Sequence, residues 1–101
     1  MDGFTALADP TRREIVELLY QGPKDAGTIA GQFPISKPAI SRHLSVLRDS
    51  GLVAMQKDAQ RRVYSLRREG LREVDRWISR YRSFWEERLD DLETALEKEE
   101  S

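Results

Sequence analysis

The stretch Ile35-Ser36-Lys37-Pro38-Ala39-Ile40-Ser41-Arg42-His43-Leu44-Ser45-Val46-Leu47-Arg48-Asp49-Ser50-Gly51-Leu52-Val53 decides how the rest of the chain is read. At about 100° per helical residue, Ile40, Leu44 and Leu47 fall on one stripe. Pro38, Ser41, Arg42 and Ser45 fall on or near the opposite side. A solvent-facing helix ordinarily carries long Glu and Lys side chains there. A front of Pro, Ser and Arg is shallow, and it can press into a groove with one guanidinium reaching base or phosphate acceptors. The plainer alternative is an amphipathic helix with serines on its outer side. Ser36 stands at the N-cap, and Gly51 stands where a helix ends in the left-handed region.

Working upstream, Asp9-Pro10 reads as N-cap and first helical residue, with Ile15, Leu18 and Leu19 as the apolar stripe and Gly22-Pro23 as the stop. A short helix over 26–33, capped by Asp25, turns Ile29, Ala30 and Phe33 inward. Downstream, Leu52 to Lys57 reads as a strand, Asp58-Ala59-Gln60 as a turn, and Arg61 to Leu66 as the returning strand. Helical patterning then resumes and holds almost to the end. The order is helix, helix, helix, hairpin, helix. Two short helices, the second shallow and cationic, followed by an arginine-bearing hairpin describe a winged helix-turn-helix. In that fold the first helix of the pair braces the second, which enters the major groove.

At 101 residues, 39% hydrophobic and 35% charged, the chain suits one domain with a modest core and a large solvated surface. Domains of this size often gain stability by dimerising. With no cysteine, disulfides and thiolate metal sites are excluded, and a single histidine, His43, builds no metal site alone. No apolar run approaches a membrane span, and the N-terminus does not read as a leader, so a soluble cytoplasmic protein without cofactor is expected. Net charge is −1, but unevenly spread. Residues 1–66 carry nine Lys and Arg against seven Asp and Glu, whereas residues 67–101 carry eight against eleven. A locally basic centre with a distant acidic end is compatible with DNA contact.

Three segments together resemble one known family. Ala6 to Ile15 followed by Leu18-Leu19 is similar to the opening of the ArsR family of bacterial repressors. Ala26 to Ala30 with Ile35 to Leu44 resembles its helix-turn-helix, and Arg61 to Leu66 resembles the return strand of its wing. The tract from Trp77 to Leu92 further resembles the metal-independent subgroup that includes sporulation-delay autorepressors and repressors encoded beside START-like lipid-binding proteins. The resemblance implies a homodimer on a palindromic operator, repressing by occlusion and often acting on its own promoter. It also implies a mainly α fold with a small β-hairpin, dimeric through its terminal helices. The single domain spans 1–101, with the core in 4–66, the helix-turn-helix in 25–50, the wing in 52–66 and a dimerisation helix in 68–98. Carried over by position, Lys37, Pro38, Ser41 and Arg42 face the groove, with Arg61 and Arg62 on the wing. Two departures stand out. The wing turn has Ala59 where the family usually has Gly, and the Cys or His/Asp ligands of the metal-sensing members are missing. The inducing signal is left open: a small molecule, a protein, or none.

The residues carry their own arguments beside the resemblance. Lys37 at a helix start opposes the helix dipole, which points to a purpose other than folding. Thr28, near the start of the bracing helix, is placed to hydrogen-bond a phosphate. Arg61 and Arg62 alternate across the hairpin, so only one need face DNA while the other pairs with an acid on the body. His43 reads as a boundary packing residue. Arg12 and Arg13 are expected in ion pairs with Glu14, Glu17 or the last helix.

In the last helix, Leu71, Val74, Ile78, Tyr81, Trp85, Leu92 and Leu96 recur in a heptad-like stripe, broken by Arg88 and widened by Trp77, Phe84 and Leu89. About 25 helical residues span nearly 40 Å, more than this small core can cover. Val74, Trp77, Ile78, Tyr81, Phe84, Trp85, Leu89 and Leu92 are therefore assigned to a dimer interface, together with Phe4 and Leu7 from the other end of the chain. The rival reading is a winged-helix module that binds protein instead of DNA. An enzyme is not expected, because no histidine set, cysteine or phosphate-binding glycine loop is present.

Overall fold

The computed structural model describes residues 1–100. Four helix starts are built the same way, by an extended residue whose side chain accepts a backbone N–H three residues on. Asp2 caps α1 (Gly3–Ala6), Asp9 caps α2 (Pro10–Leu19), and Asp25 caps α3 (Ala26–Gly31) directly after the two-residue strand β1 (Lys24–Asp25). Ser36 caps α4 (Lys37–Asp49). Strands β2 (Val53–Asp58) and β3 (Arg61–Leu66) follow, and α5 (Arg68–Glu100) completes the chain.

The sheet has three antiparallel strands in the order β1-β3-β2, so the expected hairpin gains a short outer strand. Lys24 pairs with Tyr64 and Asp25 with Val63. A two-residue strand is too short to leave an alternation in sequence. The turn is tighter than expected, because Asp58 belongs to β2 and only Ala59-Gln60 lie between the strands. Ala59 takes φ 57°, so the wing keeps a left-handed turn residue without glycine. The bracing helix ends at Gly31, short of Phe33.

The core is closed by Ala6, Ile15, Leu19, Ile29, Ile40, Leu44, Leu47, Leu52, Val53, Tyr64 and Val74, all buried. Every helix contributes, including the first turns of α5. Gly51, at φ 80°, turns the chain out of α4 into the sheet. Gly70 lets the first turn of α5 lie against that corner, since a Cβ there would collide with the Gly51 carbonyl. Past Val74 no side chain of α5 is buried among the described residues, and the molecule reaches 68 Å in its longest dimension.

Leu7 and Val74 belong to this core or pack against it. Both were expected at a dimer interface. The short turn after α1 points Leu7 inward, and the close seating of Gly70 draws Val74 down with it. Arg12 and Arg13 depart from expectation. The Arg12 Nε donates to the Ala6 carbonyl at 2.6 Å, and its guanidinium approaches His43 Nδ1 at 3.4 Å, so it ties α1, α2 and α4 together without a salt bridge to α5. Arg13 is exposed and has no ion pair among the described residues.

Candidate nucleic-acid interface

The buried stripe of α4 is Ile40, Leu44 and Leu47, and this fixes which side faces out. Lys37, Pro38, Ser41, Arg42 and Ser45 are all exposed on that outer side. The first turn of α4 contains no acid. Among the described residues neither Lys37 nor Arg42 has an ion-pair or hydrogen-bond partner. Two cations thus stand uncompensated on a helix about 20 Å long, a rod of the size the major groove admits.

The other expected contacts border two shallow grooves that meet on α3. Lys37 and Ser41 line one of them, opposite Ala26, Gly27 and Ala30. Gln60, Arg61 and Arg62 line the second, opposite Asp25, Ala26 and Gly27. Thr28 is exposed one residue further along α3. Its backbone N–H reaches the Asp25 carboxylate at 2.7 Å. That bond, with the Thr28 hydroxyl and then the charge of Arg61, holds the Asp25 carboxyl below its usual value. Asp25 stays ionised and occupies the start of α3, so a phosphate meets Thr28 beside a carboxylate and not a bare helix end.

The wing separates its two arginines. Arg61 pairs with Asp58 at 3.1 Å and with Asp25 at 3.6 Å, which commits it to the body. Strand geometry explains the choice: Asp25 opposes Val63, and Arg61 lies two residues from Val63 on the same face of the pleat. Arg62 lies on the other face and has no partner among the described residues. Directly across the ladder from it stands Lys57. Both are exposed. Like charges opposite one another destabilise a sheet, and a bound phosphate would relieve the repulsion.

Lys57 was not among the residues singled out from sequence, although the strand register pointing to it follows from a two-residue turn. Gly27 and Gln60 were also missed, because they are marked only by the grooves they line. His43 sits at the edge of α4, half-buried, its Nδ1 3.9 Å from Asp9 Oδ2. Asp9 accepts the Arg12 backbone N–H, and this bond foremost, with the charge of His43, holds its carboxyl below the usual value.

A second exposed surface is formed by Phe4 and α5. Phe4 stacks on Trp77 with ring centroids 4.1 Å apart, and Trp77 on Tyr81 at 4.4 Å. Phe84 meets Tyr81 and Trp85 edge-on, and the Arg88 guanidinium lies 4.5 Å from the Phe84 ring centroid. Ile78, Leu89 and Leu92 are exposed on the same helix. Of the residues assigned to a dimer interface, all but Leu7 and Val74 are therefore open to solvent in the single chain.

Among the described residues no three His, Asp or Glu side chains form a group able to hold a metal ion. No helix is long and apolar enough to cross a membrane.

Comparison with known proteins places these features. Residues 9–54 match the family described as bacterial regulatory protein, arsR family. The chain is 40% identical over 96 residues to the HTH-type transcriptional regulator Rv2034 of Mycobacterium tuberculosis, covering 95% of this chain and 87% of that one. It is 41% identical over 75 residues to the transcriptional repressor SdpR of Bacillus subtilis, covering 74% and 83%. It also resembles the solution structure of the homodimeric winged helix-turn-helix DNA-binding domain of Mb0332 from Mycobacterium bovis. There the TM-score is 0.62 at 28% identity, over 82% of this chain and 74% of that one.

Proposed function

The chain belongs to the arsR family of bacterial regulatory proteins, DNA-binding transcriptional regulators, and from that membership we propose a homodimeric repressor that occludes a promoter by occupying an inverted-repeat operator. The observation that carries the proposal is the outer side of α4, where Lys37 and Arg42 stand exposed and unpaired around the shallow Pro38-Ser41 surface. Arg42 reads a base edge, and Lys37 and Ser41 hold phosphates. Arg62 and Lys57 reach the adjacent backbone from the wing, while Arg61 fixes the wing to α3. Thr28 adds a phosphate contact from the bracing helix.

The two chains join through Phe4 and the exposed side of α5. Repression is independent of metal: the chain has no cysteine and one histidine, and no described His, Asp and Glu side chains form a group able to hold a metal ion. The similarity to SdpR supports the same subgroup. The repressor acts on its own promoter. A mobility-shift titration on the DNA upstream of its gene, with and without a chelator, tests this. A shifted band of unchanged midpoint in both series is expected. Loss of the band on chelation would overturn metal independence, and no band above that of unrelated DNA would overturn autorepression.

A further inference from the structure

The end of α2, the end of β3 and the first turns of α5 border a cavity of about 610 Å³, within the size range of small-molecule sites. None of the side chains assigned to DNA or to the dimer surface lines it. Its apolar wall is Leu19, which is buried, with the half-buried Leu66 and Leu71. Tyr20, 85% exposed at the C-cap of α2, adds an aromatic ring. Arg68 and Arg72 line the cavity from α5. Four residues apart, they lie on one side of the helix, about 6 Å apart along it. Neither side chain has an ion-pair or hydrogen-bond partner among the described residues. Glu69 does not neutralise Arg68, because it is held by Arg67 at 3.3 Å. Asp75 is the one acid in the lining, so the cavity keeps a net +1.

Two unpaired guanidiniums beside an apolar wall call for an anion with an apolar body. Resting on the repressor reading above, we propose that this cavity binds a small organic carboxylate, aromatic or aliphatic, and that this ligand releases the repressor from DNA. Guanidinium and carboxylate meet through paired N–H donors, and the leucines take the ligand's body out of water. A single negative charge matches the net +1. A phosphate monoester, near −2 at neutral pH, exceeds it beside Asp75.

The release follows from where the cavity lies. Arg68 and Leu71 flank Gly70, whose seat on the Gly51 carbonyl leaves no room for even a methyl group. A ligand pressing on that turn can move it only away from the end of α4, the helix that carries Arg42. Ser65 and Leu66, on the same cavity, end the strand that carries Arg62. By linkage, DNA and carboxylate oppose each other's binding.

Naphthoate and octanoate are the probes, each beside its neutral alcohol, titrated into the full chain and followed by amide chemical shifts. Saturable shifts at Tyr20, Leu66 and Leu71 are expected for at least one acid. Affinity should be about tenfold lower for its alcohol, and about tenfold lower for the acid on Arg72→Gln. Arg72 is exposed and unpaired, so that variant should melt with the parent. Acid that saturates the parent should weaken its operator binding about fivefold or more and leave that of Arg72→Gln unmoved. Failure of both acids to saturate, alcohols that bind as tightly, or shifts that follow Trp77 and Phe84 instead would overturn the site. Saturable binding with operator affinity unmoved would overturn the release and leave the site standing. A parent that binds no operator in the absence of acid would overturn the repressor reading alone.

Discussion

Arg61 and Asp25 are held together across the small sheet, with Nη1 of the arginine 3.6 Å from Oδ2 of the acid. The same carboxylate caps α3 through the Thr28 N–H. One acid therefore positions both the bracing helix and the wing, and Arg62 is left free on the other face of the strand. Arg62→Ala should weaken DNA binding about equally on all sequences and lower the salt dependence of binding by about one counterion. Arg61→Ala should leave more of that salt dependence intact and loosen the wing. Salt-titrated anisotropy on duplex DNA separates the two, and equal loss of slope in both variants would contradict the division of labour.

Arg42 carries sequence reading. Arg42→Ala should cost about 1–3 kcal/mol on the operator if the guanidinium makes a base contact, and less on unrelated duplex. Since Arg42 is exposed and bonded to nothing in the fold, the variant's thermal unfolding should match that of the parent. Equal losses on both DNAs would reassign it to a phosphate.

The capping acids make stability fall at the acid end. Asp2, Asp9 and Asp25 each have a carboxyl held below the ordinary value of 3.8, chiefly by the backbone N–H it accepts. A lowered folded value means that the unfolded chain binds the proton more readily. The caps' contribution is therefore complete above about pH 4 to 5 and is lost as pH falls through the lowered values. Denaturant midpoints should be level near pH 6 and drop toward pH 3. Asp9→Ala should cost about 1 kcal/mol near neutrality, whereas Asp9→Asn should keep most of the cap and remove that carboxyl's share of the pH dependence. Midpoints that do not move between the two pH values would contradict the assignment.

How far the fold was legible depended on the length of its signals. The Asp9, Asp25 and Ser36 caps, the Ile40-Leu44-Leu47 stripe and the Gly51 stop are local patterns, and the structure builds each where the residues put it. β1 was not legible, because Lys24-Asp25 acquires strand character only by meeting Val63 and Tyr64. The Arg12 bond to the Ala6 carbonyl was missed for the same reason: charge patterning suggests acids as partners, and only the turn between α1 and α2 brings a carbonyl closer. Leu7 and Val74 carry the same apolar character as Phe4 and Trp77. Sequence cannot tell which of the four the core will claim, since the turn after α1 decides it for Leu7 and the seating of Gly70 on Gly51 for Val74. In the candidate site, the alternation of Arg61 and Arg62 showed that the two would part company. Which one would be free required the register with Asp25.

Gly70 is the test of that seating. Gly70→Ala sets a methyl against the Gly51 carbonyl, where backbone has to shift, and should cost about 1–3 kcal/mol of stability. Because the same contact joins the root of α5 to the end of α4, operator affinity should fall even at temperatures where the variant is fully folded. Circular dichroism melts run beside anisotropy titrations check both effects. A variant of parental stability would show that α5 is not seated there.

The central claim is that two copies of α4 read an inverted repeat. Selection of binding sites from a pool of random duplex DNA by the purified protein, followed by sequencing, tests it whatever the sequence of the operator. The account predicts enrichment of two half-sites in inverted orientation, with centres about 10 base pairs apart. Enrichment of a single unrepeated site, or none over the starting pool, would contradict it.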